Sequence, residues 1–152
     1  MKRSLCLQGM TELEPKESMK EPRVETAAAI RVAAFRGALR SFLNDNEQIA
    51  RANRLTPQRY LLLLMIKGAP DGSEQSTISE LVERLRLAQS TVTELVKRAE
   101  DAGLIEREQS VADARVAHLR LTPEGERRLA RAFTELDVEH SQLRKAVEGL
   151  DG

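Results

Sequence analysis

A row of short polar side chains, Gln89, Ser90, Thr91 and Thr93, is followed by Glu94, Lys97 and Arg98. Groups of these types on a helix front are either a solvated face or a surface that reads the edges of DNA bases. A glutamine amide matches adenine with paired hydrogen bonds, and a threonine methyl fits against thymine. Lys97 and Arg98 stand further along, at heights suited to phosphates. A second set, Asp113 and Arg115, lies two residues apart, so in an extended segment both point the same way. A carboxylate beside a guanidinium fixes the arginine's direction through charge-assisted bonds, and an arginine so held suits the narrow, electronegative minor groove. Arg107 is a candidate phosphate contact. Catalysis finds no such footing. The chain has no Ser/His/Asp set, no phosphate-cradling glycine loop and no metal-ligand cluster, and His118 and His140 lack partners for acid–base chemistry. The sequence therefore predicts a binding protein rather than an enzyme, with no metal and no cofactor.

Side chains that face outward together need a helix whose other face is buried. Val92, Leu95, Val96 and Ala99 supply that apolar stripe at i, i+3, i+4 and i+7. Gly103 follows in the position of a left-handed cap, with Leu104 able to pack back. Ahead of this helix, Thr77 and Glu80 form a capping box that opens a short amphipathic helix through Leu81 and Leu85, and Arg86-Leu87-Ala88 makes the turn between the two. Behind it, residues 105–108 alternate as a strand, 109–114 are polar, and 116–121 alternate again, with Ala117, Leu119 and Leu121 on one face. Helix, turn, helix and β-hairpin together describe a winged helix-turn-helix. Thr56-Pro57 and Thr122-Pro123 each combine an N-cap acceptor with a proline at the first helical position. The first makes the apolar run 60–66 a buried helix. The second opens a last helix over about 123–148. A loop spans 67–72. Earlier still, Ala27, Ala28, Ala34, Phe35, Ala38, Leu39 and Phe42 recur at helical spacing. That helix ends near Asn44-Asp45-Asn46 or continues to about Arg51, for a length of around 40 Å. The expected fold is mainly α with a small β-hairpin wing.

Composition narrows the partners. The chain has 152 residues, 24 basic and 24 acidic, so its net charge is zero and a polycationic DNA coat is excluded. Residues 77–128 alone carry nine cations and ten anions, so any DNA binding rests on local placement of charge. Aromatics at 3% argue against a base-stacking platform for single strands. The single Cys6 excludes an internal disulfide and a cysteine-cluster zinc site. No run approaches the roughly 20 apolar residues needed to cross a bilayer, and the expected compartment is the cytoplasm.

Six segments in order carry a resemblance: Leu55-Thr56-Pro57-Gln58-Arg59-Tyr60, Ser79-Glu80-Leu81-Val82-Glu83-Arg84-Leu85, Gln89-Ser90-Thr91-Val92-Thr93, Ala102-Gly103-Leu104-Ile105-Glu106-Arg107, Asp113-Ala114-Arg115 and Leu121-Thr122-Pro123-Glu124-Gly125. Together they resemble the MarR family of bacterial transcription regulators. The resemblance implies a homodimer that binds a pseudo-palindromic DNA operator, usually as a repressor, and that is released by a small lipophilic or phenolic effector. It places the recognition positions at Gln89, Ser90, Thr91, Thr93 and their neighbours, and the wing pair at Asp113 and Arg115. It divides the chain into a flexible arm (1–22), an N-terminal dimerisation helix (23–52), the winged helix-turn-helix (55–122) and a C-terminal dimerisation helix (123–150). Phe35, Leu39, Phe42, Leu129 and Phe133 would be buried against the partner, and Phe35, Leu39, Leu61 and Met65 would border an effector cavity.

The sequence departs from the family pattern at three points. Ala88 replaces the usual Ser or Asp cap. Glu94 stands where a base is common and Lys97 where an acid is common; these two either pair at i, i+3, or Glu94 reads a cytosine amino group. The family's second C-terminal helix is short or missing. With the neutral charge, these departures support an alternative, a winged-helix protein-interaction module with weak or no DNA binding.

Overall fold

Residues 26–52 contain no proline and are rich in alanine, so nothing interrupts a helix once it starts. The computed structural model, which describes residues 22–150, accordingly shows one unbroken helix, α1 (Thr26–Ala52). It passes straight through Asn44-Asp45-Asn46, so the longer of the two expected lengths holds. The expected arm, 1–22, lies outside the described residues apart from Pro22, as does Cys6.

Thr56 then caps α2 (Pro57–Lys67), its hydroxyl accepting the Arg59 amide at 3.1 Å. A two-residue strand, β1 (Gln75–Ser76), precedes α3 (Ile78–Leu85). α3 opens on the expected reciprocal box: the Glu80 amide donates to the Thr77 hydroxyl at 3.3 Å, and the Thr77 amide donates to the Glu80 carboxylate at 2.7 Å. Helix α4 (Gln89–Asp101) closes at Gly103, whose φ of +70° only glycine adopts freely. The Gly103 amide donates to Glu100 O at 2.8 Å and the Leu104 amide to Ala99 O at 3.0 Å, a Schellman closure. Next come the hairpin strands β2 (Ile105–Gln109) and β3 (Ala117–Leu121). The sheet order is β1-β3-β2, antiparallel throughout, with Arg107 opposite Leu119 and Ser76 on the other side of it. β1 was not expected, because two residues within a polar stretch carry no period.

Thr122 opens α5 (Pro123–Glu135), its hydroxyl accepting the Gly125 amide at 3.1 Å. The expected single C-terminal helix is instead two. Leu136, at φ −87° and ψ 2°, bends the chain between α5 and α6 (Asp137–Glu148). No glycine or proline marks the bend. Leu136 is fully buried there, and α6 turns back along α1. A second C-terminal helix of 12 residues is therefore present, so of the two expectations, short or missing, the second does not hold.

The core centres on α2, where Tyr60, Leu62, Leu63 and Ile66 are buried as the apolar run predicted. Around them pack Leu81, the Val92/Leu95/Val96/Ala99 stripe, Leu104, Ile105, Leu119 and Leu136. Leu129 is also buried in this core, at 4% exposure, which removes it from the residues expected to meet a partner chain. Lys67, at the end of α2, ties the following loop to α5 by ion pairs to Glu74 at 2.7 Å and Glu126 at 2.9 Å. Hydrogen bonds to Glu74, then Glu126, hold its ammonium above the ordinary 10.5. α5 starts hard against the end of α4. The Thr122 amide donates to Leu104 O at 3.0 Å and its hydroxyl to Gly103 O at 2.6 Å. A Cβ on Gly125 would drive into the Leu104 carbonyl oxygen, so only glycine allows this approach. No described helix is long and apolar enough to cross a membrane.

Candidate nucleic-acid interface

α3 ends because Arg86 adopts the left-handed region, φ 54°, which swings the chain through Leu87 and Ala88 into α4. The stripe of Val92, Leu95, Val96 and Ala99 pins one face of α4 to the core. Every recognition candidate on the helix is then exposed: Gln89, Ser90, Thr91, Thr93, Glu94, Lys97 and Arg98. Opposite the buried stripe, Ser90, Glu94 and Lys97 lie nearest the centre of the outward face. Ala88 is in the extended conformation of an N-cap but has no oxygen to offer, so no side chain of that residue covers the first amides of α4. Those amides and the helix dipole favour an anion at this end.

The charges pair differently from expectation. Glu94 takes Arg98, at 2.8 Å, and not Lys97, because an i, i+4 spacing stacks the two side chains along one row of the helix. Arg107, expected to be free for phosphate, reaches from β2 to Glu100 on α4 at 2.7 Å and braces the wing to the helix. Arg120 pairs with Glu108 across the hairpin at 2.9 Å. Arg84 donates to Gly68 O at 2.8 Å and also to Met65 O, so it satisfies the carbonyl end of α2 rather than facing a ligand. Only placement in three dimensions could have revealed that role, since nothing within α3 signals it. Among the described residues, Lys97 and Arg115 enter no ion pair.

The wing turn is held by its own side chains. Ser110 Oγ accepts the amides of Ala112 and Asp113, and the Ser110 amide donates to Val116 O at 3.0 Å. Asp113 Oδ1 accepts the backbone amide of Arg115 at 3.0 Å. The carboxylate therefore fixes the loop, and not the guanidinium as expected. Arg115 and Asp113 are both exposed. Arg115 and Arg107 border one open hollow of about 320 Å³ together with Thr77 and Ser79, residues that the sequence pattern marked only as a helix start. The effector candidates lie elsewhere. Phe35 and Leu39 are half-buried on α1, Leu61 is exposed, and Met65 packs against the core from α2.

This geometry has counterparts among known proteins. Residues 55–116 match the family model described as MarR family. The uncharacterized HTH-type transcriptional regulator YsmB of Bacillus subtilis (strain 168) is 34% identical over 88 residues, 58% of this chain, and the match spans 58% of YsmB. A cysteine-to-serine mutant of MarR from E. coli, complexed with operator DNA, superposes with a TM-score of 0.61 at 18% identity, over 80% of this chain and 86% of MarR. BpsR of Bordetella bronchiseptica, whose DNA binding is regulated by 6-hydroxynicotinic acid, gives 0.56 at 18% identity, over 71% and 79%. At these identities the two structures share the fold. Through its winged helix-turn-helix, over residues 55–116, the chain is similar to the MarR family.

Proposed function

We propose that the chain is a DNA-binding transcription regulator that works in the cytoplasm as a homodimer on a pseudo-palindromic operator, as a repressor. The observation that carries this reading is the outward face of α4. Seven polar residues are exposed there beside a wing that offers Arg115 free of any ion pair. Two such helices related by a two-fold axis reach successive turns of a duplex when they stand about 34 Å apart. A small lipophilic or phenolic effector, bordered by Phe35, Leu39, Leu61 and Met65, would release the DNA. The regulated DNA binding of BpsR supports this.

The test is titration of the protein onto DNA fragments from upstream of its own gene. Wild type is expected to retain one fragment, and Arg115→Ala to weaken that binding about tenfold with no fall in melting temperature. An unchanged affinity would remove the wing from the reading.

One observation favours a second reading, an interaction module without DNA binding. Arg98 and Arg107 are each already paired with a carboxylate, which reduces the free positive charge on this face. Failure to retain any DNA, even at low salt, would decide for it.

A further inference from the structure

A carboxylate at the centre of a groove-facing helix repels every phosphate it approaches. In a major groove, only the exocyclic amines of cytosine and adenine can compensate it. Glu94 occupies such a position, and it does not stand alone. Arg98 Nε donates to Glu94 Oε1 at 2.8 Å. This bond leaves the second Glu94 oxygen and the outer Nη edge of the guanidinium without partners among the described residues. Both side chains are open to a ligand, at 53% and 63% exposure.

We propose that Glu94 and Arg98 act as one unit that reads a C·G base pair in a fixed strand orientation within each half-site. The proposal rests on the reading that α4 enters the major groove. The pair presents an acceptor followed by a fork of donors. Across the major groove a C·G pair presents the complement, the cytosine N4 donor and then the guanine O6 and N7 acceptors. G·C shows the reverse order. A·T and T·A place an acceptor on each side of the adenine amine, so one end of the unit meets a mismatched group. The unit is also neutral, so it selects sequence without raising attraction to DNA in general. Its mutual ion pair holds both side chains in position before any base arrives, which lowers the ordering cost on binding.

The experiment is selection from a randomised duplex pool by the full-length protein, by Glu94→Gln and by Arg98→Ala, each checked for an unchanged melting temperature. The wild-type consensus is expected to hold one invariant C·G position per half-site. Each variant is expected to relax that same position about ten- to a hundredfold, with the other positions kept. The proposal is overturned if all three consensus sequences agree, if the variants relax different positions, or if they change affinity equally for every sequence, as a phosphate contact would. A wild-type pool that enriches no sequence defeats the underlying DNA-binding reading. A consensus insensitive to either variant defeats this proposal alone.

Discussion

Tyr60 is buried to 3% exposure, and its hydroxyl has no hydrogen-bond partner among the described residues. Burial pushes its phenol above the usual range. The ring fills space between elements, while the hydroxyl bonds no other described residue. Tyr60→Phe keeps the packing and removes the orphaned group, so stability is expected to hold or rise by up to about 1 kcal/mol. A thermal or urea melt checks this, and a clear loss would mean that the hydroxyl is satisfied in solution. Residue-scale features were legible in the sequence wherever the chemistry is local. The Thr56 and Thr122 caps, the Thr77–Glu80 box and Gly103 depend only on neighbours within a few positions, and all four fold as their spacing implies. The ion pairs were not legible. Whether Glu94 turns to Lys97 or Arg98, and whether Arg107 is free or reaches Glu100, depends on rotamers and on the packing of the wing against α4.

At the scale of elements, α4 is the one in which sequence and stability diverge. Its N-cap residue, Ala88, has the right backbone, φ −61° and ψ 145°, but the wrong side chain. Ala88→Ser supplies the missing acceptor at a position already shaped for it. The expected gain is about 1 kcal/mol, seen as a rise of about 2–4 °C in melting temperature. A fall would mean that the serine hydroxyl finds no amide in reach. The apolar stripe of α4 and the alternation of β3 were readable because each has a period, whereas β2 is exposed throughout beyond Ile105. The bend at Leu136 was not. It comes from the chain turning to bury one leucine and bring α6 onto α1, and no local breaker announces it. β1 escaped for a related reason, since its pairing is fixed by β3 and not by its own residues.

At the scale of the whole molecule, exposed apolar side chains concentrate on the helices outside the winged lobe: Ile30, Val32 and Leu43 on α1, Phe133 on α5, Val138 and Val147 on α6. A surface of this kind marks a partner, and in the proposed dimer that partner is a second copy. Phe42 and Phe133, both expected there, also flank His140 of their own chain, with ring centroids 5.4 and 5.5 Å away. They are therefore poor choices for a clean test. Ile30 is 64% exposed and serves better. Ile30→Glu is expected to shift the protein from dimer to monomer in sedimentation and to weaken operator binding roughly ten- to a hundredfold, because the second half-site is no longer tethered to the first. A variant that stays dimeric would place the interface elsewhere. The seam at Gly125 has a mechanical consequence. With Thr122 bonded to Gly103 and Leu104, and no side chain acting as a spacer, the base of α5 and the tail of α4 turn together like gears on one shaft. Any twist of the outer helices is delivered without slack to the rod that carries Ser90, Glu94 and Lys97.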